Sequence, residues 1–361
     1  MDTSMRRRTF LKTLILAGAS LPTFAGKNLF AAEIVPHAKR MPVVPFDAPA
    51  GTWTLAVLPD TQNMADSFPA EYDRQTAWIV AHQKTHNIIF VAHEGDVVDN
   101  NSIRRQWENA QKSMRILTDA GIPYALLPGN HDLGCETRGT AQDRSTLLND
   151  YFLADDYRHS EAFGLFETGK MENSWHHFTA PTGKYLLLAL EFGPRNAVVD
   201  WADGIVSHNP DRKVIVVTHS HTYYDNTIYD WQKYGRGQQW NPKAYGIGKG
   251  GKGGKGDAND STDLWNKLLK KHANIFLVLS GHVLKNGTGY TIGIGDQGQK
   301  IHQILANYQA AVEPHRPYAG GGFLRLMQFY PDGVTVQVKS YSPWLDQWLT
   351  SSDQQFPLKL T

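Results

Sequence analysis

Tyr124-Ala-Leu-Leu-Pro-Gly-Asn-His-Asp132 is the stretch on which the reading of this chain turns. Its apolar half reads as a buried strand, and Gly129 leads the backbone sharply out of it. Asn130, His131 and Asp132 then place an amide oxygen, an imidazole and a carboxylate at the carboxyl end of that strand. Open α/β sheets keep their chemistry at such ends.

Working outward, the arrangement repeats. Trp53-Thr-Leu-Ala-Val-Leu58 stops at Pro59 and delivers Asp60-Thr61-Gln62, and Ile88-Ile-Phe-Val-Ala92 leads to Gly95-Asp96-Val97-Val98-Asp99. Further on, Val214 to Val217 delivers Thr218-His219-Ser220-His221, and Ile275 to Leu279 delivers Ser280-Gly281-His282. Between the first three strands lie two helical patterns, Pro69 to His86 and a stripe of Ile103, Trp107, Ala110, Met114 and Leu117. Strand and helix alternating in this way predict parallel βαβ units whose polar ends lie side by side. Strands at 174–178, 185–190, around Tyr290, and at 301–305, 323–330 and 334–340 supply a second sheet and an antiparallel flank.

Composition narrows the function. A net charge of +1 over 361 residues gives no nucleic-acid-binding signature, and the single cysteine, Cys135, rules out an internal disulfide. Residues 1–32 have the layout of a secretory signal, and Arg7-Arg8-x-Phe10-Leu11-Lys12 resembles a bacterial twin-arginine export signal. The expectation is a protein exported by the twin-arginine machinery, periplasmic or secreted, with no transmembrane segment beyond the signal. A Pro-rich lead at 33–50, a catalytic domain at 51–342 and a C-terminal tail at 343–361 complete the predicted organisation. Within the domain, 134–172 reads as an irregular connection and 222–260 as a surface insertion near the site. The part from Gly246 to Gly256 reads as a flexible basic loop. It is no phosphate loop, because Gly253 stands where Ser or Thr is required and no apolar strand precedes it.

Collected, the strand ends present Asp60, Gln62, Asp96, Asp99, Asn130, His131, His219 and His282. Mixed oxygen and imidazole donors suit Mn, Fe or Zn better than Mg or Ca. They are too many for one ordinary site, and two metals sharing a carboxylate is the natural arrangement.

In this order the motifs resemble those of the calcineurin-like metallophosphoesterases: Asp60-Thr-Gln62, Gly95-Asp96-Val-Val-Asp99, Gly129-Asn130-His131-Asp132, His219, and Gly281-His282. The resemblance implies a four-layer α/β/β/α sandwich, two mixed sheets flanked by helices. It implies two divalent or trivalent transition-metal ions (Mn, Fe or Zn), with Asp96 bridging. Asp60 would hold one ion, and Asn130, His219 and His282 the other. Asp99 would orient His131, which would protonate or stabilise the leaving alkoxide. The substrate would be a phosphorylated small molecule, hydrolysed as a phosphomonoester or phosphodiester by a metal-bound hydroxide.

Two positions depart from the family pattern, Gln62 where His is commonest and Leu284 where a last ligand His is expected. Both fall on the first metal site, which is therefore expected to be weaker, with the Gln62 amide oxygen as a substitute ligand. They also motivate the competing expectation of a non-catalytic or single-metal relative that binds a phosphorylated ligand. His221 or His302 could fill the gap at Leu284 but each reads more readily as a surface or strand histidine, Asp132 reads as structural, and Arg195 equally as a phosphate contact or an ion-pair residue.

Overall fold

The computed structural model describes residues 46–249, 256–309 and 320–361. The stretch expected to be an export signal, most of the Pro-rich lead and the centre of the Gly/Lys run lie outside the described residues. Elements follow in chain order as β1 (Trp53–Leu58), α1 (Gln62–Ser67), α2 (Pro69–His82), β2 (Ile88–His93), α3 (Arg104–Asp119), β3 (Tyr124–Ala125), α4 (Leu148–Tyr151) and β4 (Ala162–Leu165). Next come β5 (Ser174–Ala180), β6 (Gly183–Leu190), α5 (Asn196–Ser207), β7 (Lys213–Thr218), α6 (Trp231–Tyr234), α7 (Ser261–Lys267) and β8 (Ile275–Ser280). The chain closes with β9 (Thr288–Ile294), β10 (Lys300–Ala306), β11 (Leu324–Phe329), β12 (Thr335–Ser342), β13 (Gln347–Leu349) and β14 (Phe356–Lys359).

Two sheets result. The first runs β13-β12-β11-β1-β2-β3, with β14 also on β12; the second runs β4-β5-β6-β7-β8-β10-β9. β1, β2 and β3 are mutually parallel, as are β6, β7, β8 and β10, so their carboxyl ends share one rim. Every residue of β1 is buried, which follows from its place between two layers. Its period-two alternation sends Leu55 and Val57 towards Leu187, Ile215 and Leu277 of the second sheet. Ala56 and Leu58 face Tyr72, Ile79, Trp107 and Met114 of α2 and α3. On the far side Leu186, Leu188 and Val216 meet Val198 and Ala202 of α5 and Leu264 of α7. This is the four-layer α/β/β/α sandwich expected from the sequence.

The elements differ from expectation in several places. Helix α2 ends at His82, because the chain turns through Asn87 at a φ of 45° before β2. Ile103 caps α3 from outside and is 40% exposed, so it does not belong to the apolar stripe. Helix α1 arises where no element was expected, and strand β4 within the 134–172 connection read as irregular. The tail is not an appendage, since β13 and β14 both pair with β12. Gly246 to Gly248 do pack, with Ile247 buried beside Leu133, Ala141, Phe192 and Ala258, so this part is not the flexible loop expected from the sequence.

Candidate metal centre

Tight turns at the strand ends bring the polar residues together. Gly129 lies so close to the Gly95–Asp99 turn that a Cβ on it would sit 2.1 Å from Asp96 Oδ1. Asp132 locks the two turns: its carboxylate accepts from the backbone of Gly129, Val97 and Val98 at 2.7, 3.0 and 2.9 Å. Asp60 does the same between sheets, accepting from His282 N at 2.9 and 3.1 Å. Three site residues hold backbone conformations that side chains rarely adopt, with φ of 43° at Asp60, 48° at Asp96 and 72° at His282.

Asp96, His219 and His282 are all buried, and their ligating atoms lie within 4.8 Å of one another. His219 Nε2 is the centre, 3.2 Å from Asp96 Oδ1, 3.2 Å from Asn130 Oδ1 and 3.1 Å from His282 Nδ1. The outer atoms of these side chains are held by backbone carbonyls. His219 Nδ1 donates to Glu94 O and His282 Nε2 to Trp240 O, each at 2.8 Å, and Asn130 Nδ2 donates to Gly139 O at 2.8 Å. Because carbonyls only accept, the inward-facing atoms of the neutral side chains are all acceptors. A carboxylate oxygen, an amide oxygen and two imidazole nitrogens turned on one point fit a cation, with the outer bonds fixing each ligand's orientation.

The surrounding electrostatics point the same way. Burial and the charge of Asp96 push Asp60 well above the usual carboxylate range. Burial raises Glu94 to about 8, and burial with Asp96 raises Asp132 to about 8. Burial works to raise Asp96 too, but the imidazoles of His219, His131 and His282 hold it below the usual range. Burial and His219 lower His282 to about 3, which favours its neutral, ligating form.

The other expected residues take distinct positions. Asp96 turns Oδ2 towards Gln62, whose Nε2 donates to it at 2.8 Å, while Gln62 Oε1 is buried without a hydrogen-bond partner among the described residues. The amide thus shows Asp96 a donor, not the oxygen expected of a ligand. Asp60 is buried beside these groups but outside the cluster of Asp96, His219 and His282. His131 Nδ1 meets the backbone carbonyl of Asp99 at 2.7 Å, whereas the Asp99 carboxylate stands 3.6 Å away. The expected orienting contact is therefore made by the main chain, because the carboxylate is taken by Arg138 Nη2 at 2.5 Å. His221 bonds Gln303 and His302 bonds Tyr290, so both are buried structural residues, and neither lines the cleft that Leu284 lines. Arg195 is an ion-pair residue of Glu191 and Glu167.

The cluster opens into a cleft of about 340 Å³ bounded by His131, Arg138, Trp240, Tyr245, Leu284 and Gln309. Trp240 and Tyr245 belong to the 222–260 insertion expected near the site, whereas Arg138 and Gly139 were not singled out, because they lie in an irregular connection that only tertiary closure brings in.

An uncharacterised protein of Bacillus subtilis (strain 168), YvnB, is 29% identical over 328 residues, covering 88% of this chain but 22% of that protein. The chain thus spans about a fifth of the length of that relative. Among solved structures, GAP50, the anchor in the inner membrane complex of Plasmodium, is similar with a TM-score of 0.48 and 14% identity over 86% of this chain and 89% of its own. TT1561 of Thermus thermophilus is similar with a TM-score of 0.39 and 10% identity over 86% of this chain and 100% of its own. Residues 54–286 match the calcineurin-like phosphoesterase family, and the chain belongs to it.

Proposed function

We propose that this protein is a metal-dependent hydrolase of phosphoester bonds, exported through the twin-arginine route that Arg7 and Arg8 suggest. One observation carries the reading: Asp96, Asn130, His219 and His282 turn acceptor atoms on one point at the floor of a cleft whose rim holds His131. Asp96, Asn130, His219 and His282 would hold one transition-metal ion. Asp96 would extend Oδ2 towards a second ion beside Asp60, with Gln62 contributing only after its amide turns. Bound cations of this kind activate water at neutral pH and offset phosphoryl charge.

The protein's own groups do the remainder. The Asp99 carbonyl, accepting at His131 Nδ1, fixes the imidazole at the edge of the cleft, where an imidazolium would pass its proton to the departing alkoxide. Trp240, Tyr245 and Leu284 also line the cleft and put apolar surface beside that transfer.

Leu284 in the wall and the donor face of Gln62 favour a second reading, in which a single metal binds a phosphorylated ligand without turnover. Assays on p-nitrophenyl phosphate and bis-p-nitrophenyl phosphate with Mn, Zn and Fe separate the two. Hydrolysis of either ester is expected; no turnover under any metal rejects the hydrolase.

A further inference from the structure

We infer that Arg138 grips the terminal oxygens of the substrate's phosphoryl group and makes the cleft selective for phosphomonoesters over diesters, an inference that rests on the hydrolase reading above. Among the described residues lining the cleft, Arg138 supplies the only guanidinium or ammonium group. Its bond to Asp99 Oδ1 uses Nη2, and the side chain is 59% exposed, so the rest of its N–H fork remains available.

The residue is also held where a phosphoryl group must come. Its neighbour Gly139 has a φ of 66°, and a Cβ there would lie 2.7 Å from the His131 ring, so the loop rests on the imidazole. Gly139 O takes the Asn130 amide, and Ala141 O takes Ile247 N at 2.9 Å. The loop is thus clasped between the site and the 246–248 turn. An ester whose leaving oxygen meets His131 has its phosphorus beside Arg138.

The chemistry separates ester classes. A phosphomonoester near neutral pH carries close to two negative charges and three terminal oxygens, each a strong acceptor. A diester carries one charge and two such oxygens. A guanidinium fork matches the terminal oxygens in two-point, charge-assisted bonds, and an esterified oxygen cannot replace one. Trp240, Tyr245 and Leu284, which also line the cleft, offer no compensating cation to a diester's second substituent.

The test compares wild-type protein, Arg138→Ala and Arg138→Lys, all metal-loaded, on p-nitrophenyl phosphate and bis-p-nitrophenyl phosphate, with inorganic phosphate binding followed by calorimetry. Arg138→Ala is expected to lower kcat/KM for the monoester about 10- to 100-fold, chiefly through KM, while the diester changes by less than about 3-fold. Phosphate affinity should fall with the monoester, and Arg138→Lys should recover part of both. Equal losses on the two esters with unchanged phosphate affinity would mean that Arg138 acts only by holding Asp99, and overturn the inference. If wild-type protein turns over neither ester, the hydrolase reading fails by itself and calorimetry decides Arg138. Phosphate binding that is undetectable, or equal in wild type and Arg138→Ala, then rejects it.

Discussion

The first sheet brings carboxylate and amide side chains to the centre, from Asp60, Gln62, Asp96 and Asn130, whereas the second brings imidazoles, from His219 and His282. The two contributions are not equal partners throughout. Where Asp96 and Asn130 face His219 and His282, oxygen and nitrogen donors interleave within hydrogen-bond distances. Where Asp60 meets Gly281 and His282, the second sheet returns the backbone N–H of His282, and Leu284 puts an apolar side chain in the cleft. A cation therefore has donors from both sheets on one flank and from one sheet on the other, and the protein should hold its two proposed ions with unequal strength.

The largest expected effects test the interleaved flank. His282→Ala should lower both turnover and bound metal, turnover by about 1,000-fold or more, while His131→Ala should lower kcat by about 100- to 10,000-fold with metal content kept. Elemental analysis beside kinetics checks this, and equal metal loss in both variants would dissolve the division of roles. Next in size, a chelator should lower Tm by about 5–10 °C if an ion joins the sheets, read by scanning calorimetry with and without added Mn. A Tm indifferent to chelation would show that the sheets pack without it. Smaller again, Leu284→His should raise tightly bound metal from about one ion per chain towards two, since it restores a nitrogen donor on the poor flank. Unchanged stoichiometry would show that Gln62, not Leu284, limits that site.

The smallest effect concerns an imidazole of the second sheet away from the cleft. Burial, with His177 beside it, lowers His176 on β5 to about 3, against an ordinary 6.5. The unfolded chain takes a proton near pH 6.5 that the folded chain refuses until about 3. Its contribution to stability is therefore complete above 6.5 and is lost as pH falls from there, by up to about 1.4 kcal/mol per pH unit. His176→Asn should flatten the fall of Tm between pH 6.5 and 4, and parallel curves for the two proteins would contradict it.

Much of this was legible in the sequence because parallel strands buried on both faces leave continuous apolar runs, as at 53–58, 88–93, 213–218 and 275–280. Each run ends in polar residues that the parallel topology must bring to one rim. Strand β3 was placed by Gly129-Asn130-His131 more than by its own length, which is two residues. Strand β14 escaped notice because Phe356-Pro-Leu-Lys359 has a proline and an edge position, and β4 because all its residues are only half-buried. Arg138 was invisible for a different reason. An arginine in an irregular loop carries no periodicity, and its capture of the Asp99 carboxylate depends on how a loop closes over His131.

The left-handed backbone at Asp60, Asp96 and His282 has a consequence for how this sequence drifts. Each such conformation costs about 1–3 kcal/mol in a residue with a side chain, and glycine or asparagine relieves much of it. Random substitution weighed by folding alone would thus run downhill through the site, replacing these residues with Gly or Asn and gaining stability as it went. A copy of this gene released from its chemistry should lose the centre first and keep, or even harden, the sandwich around it.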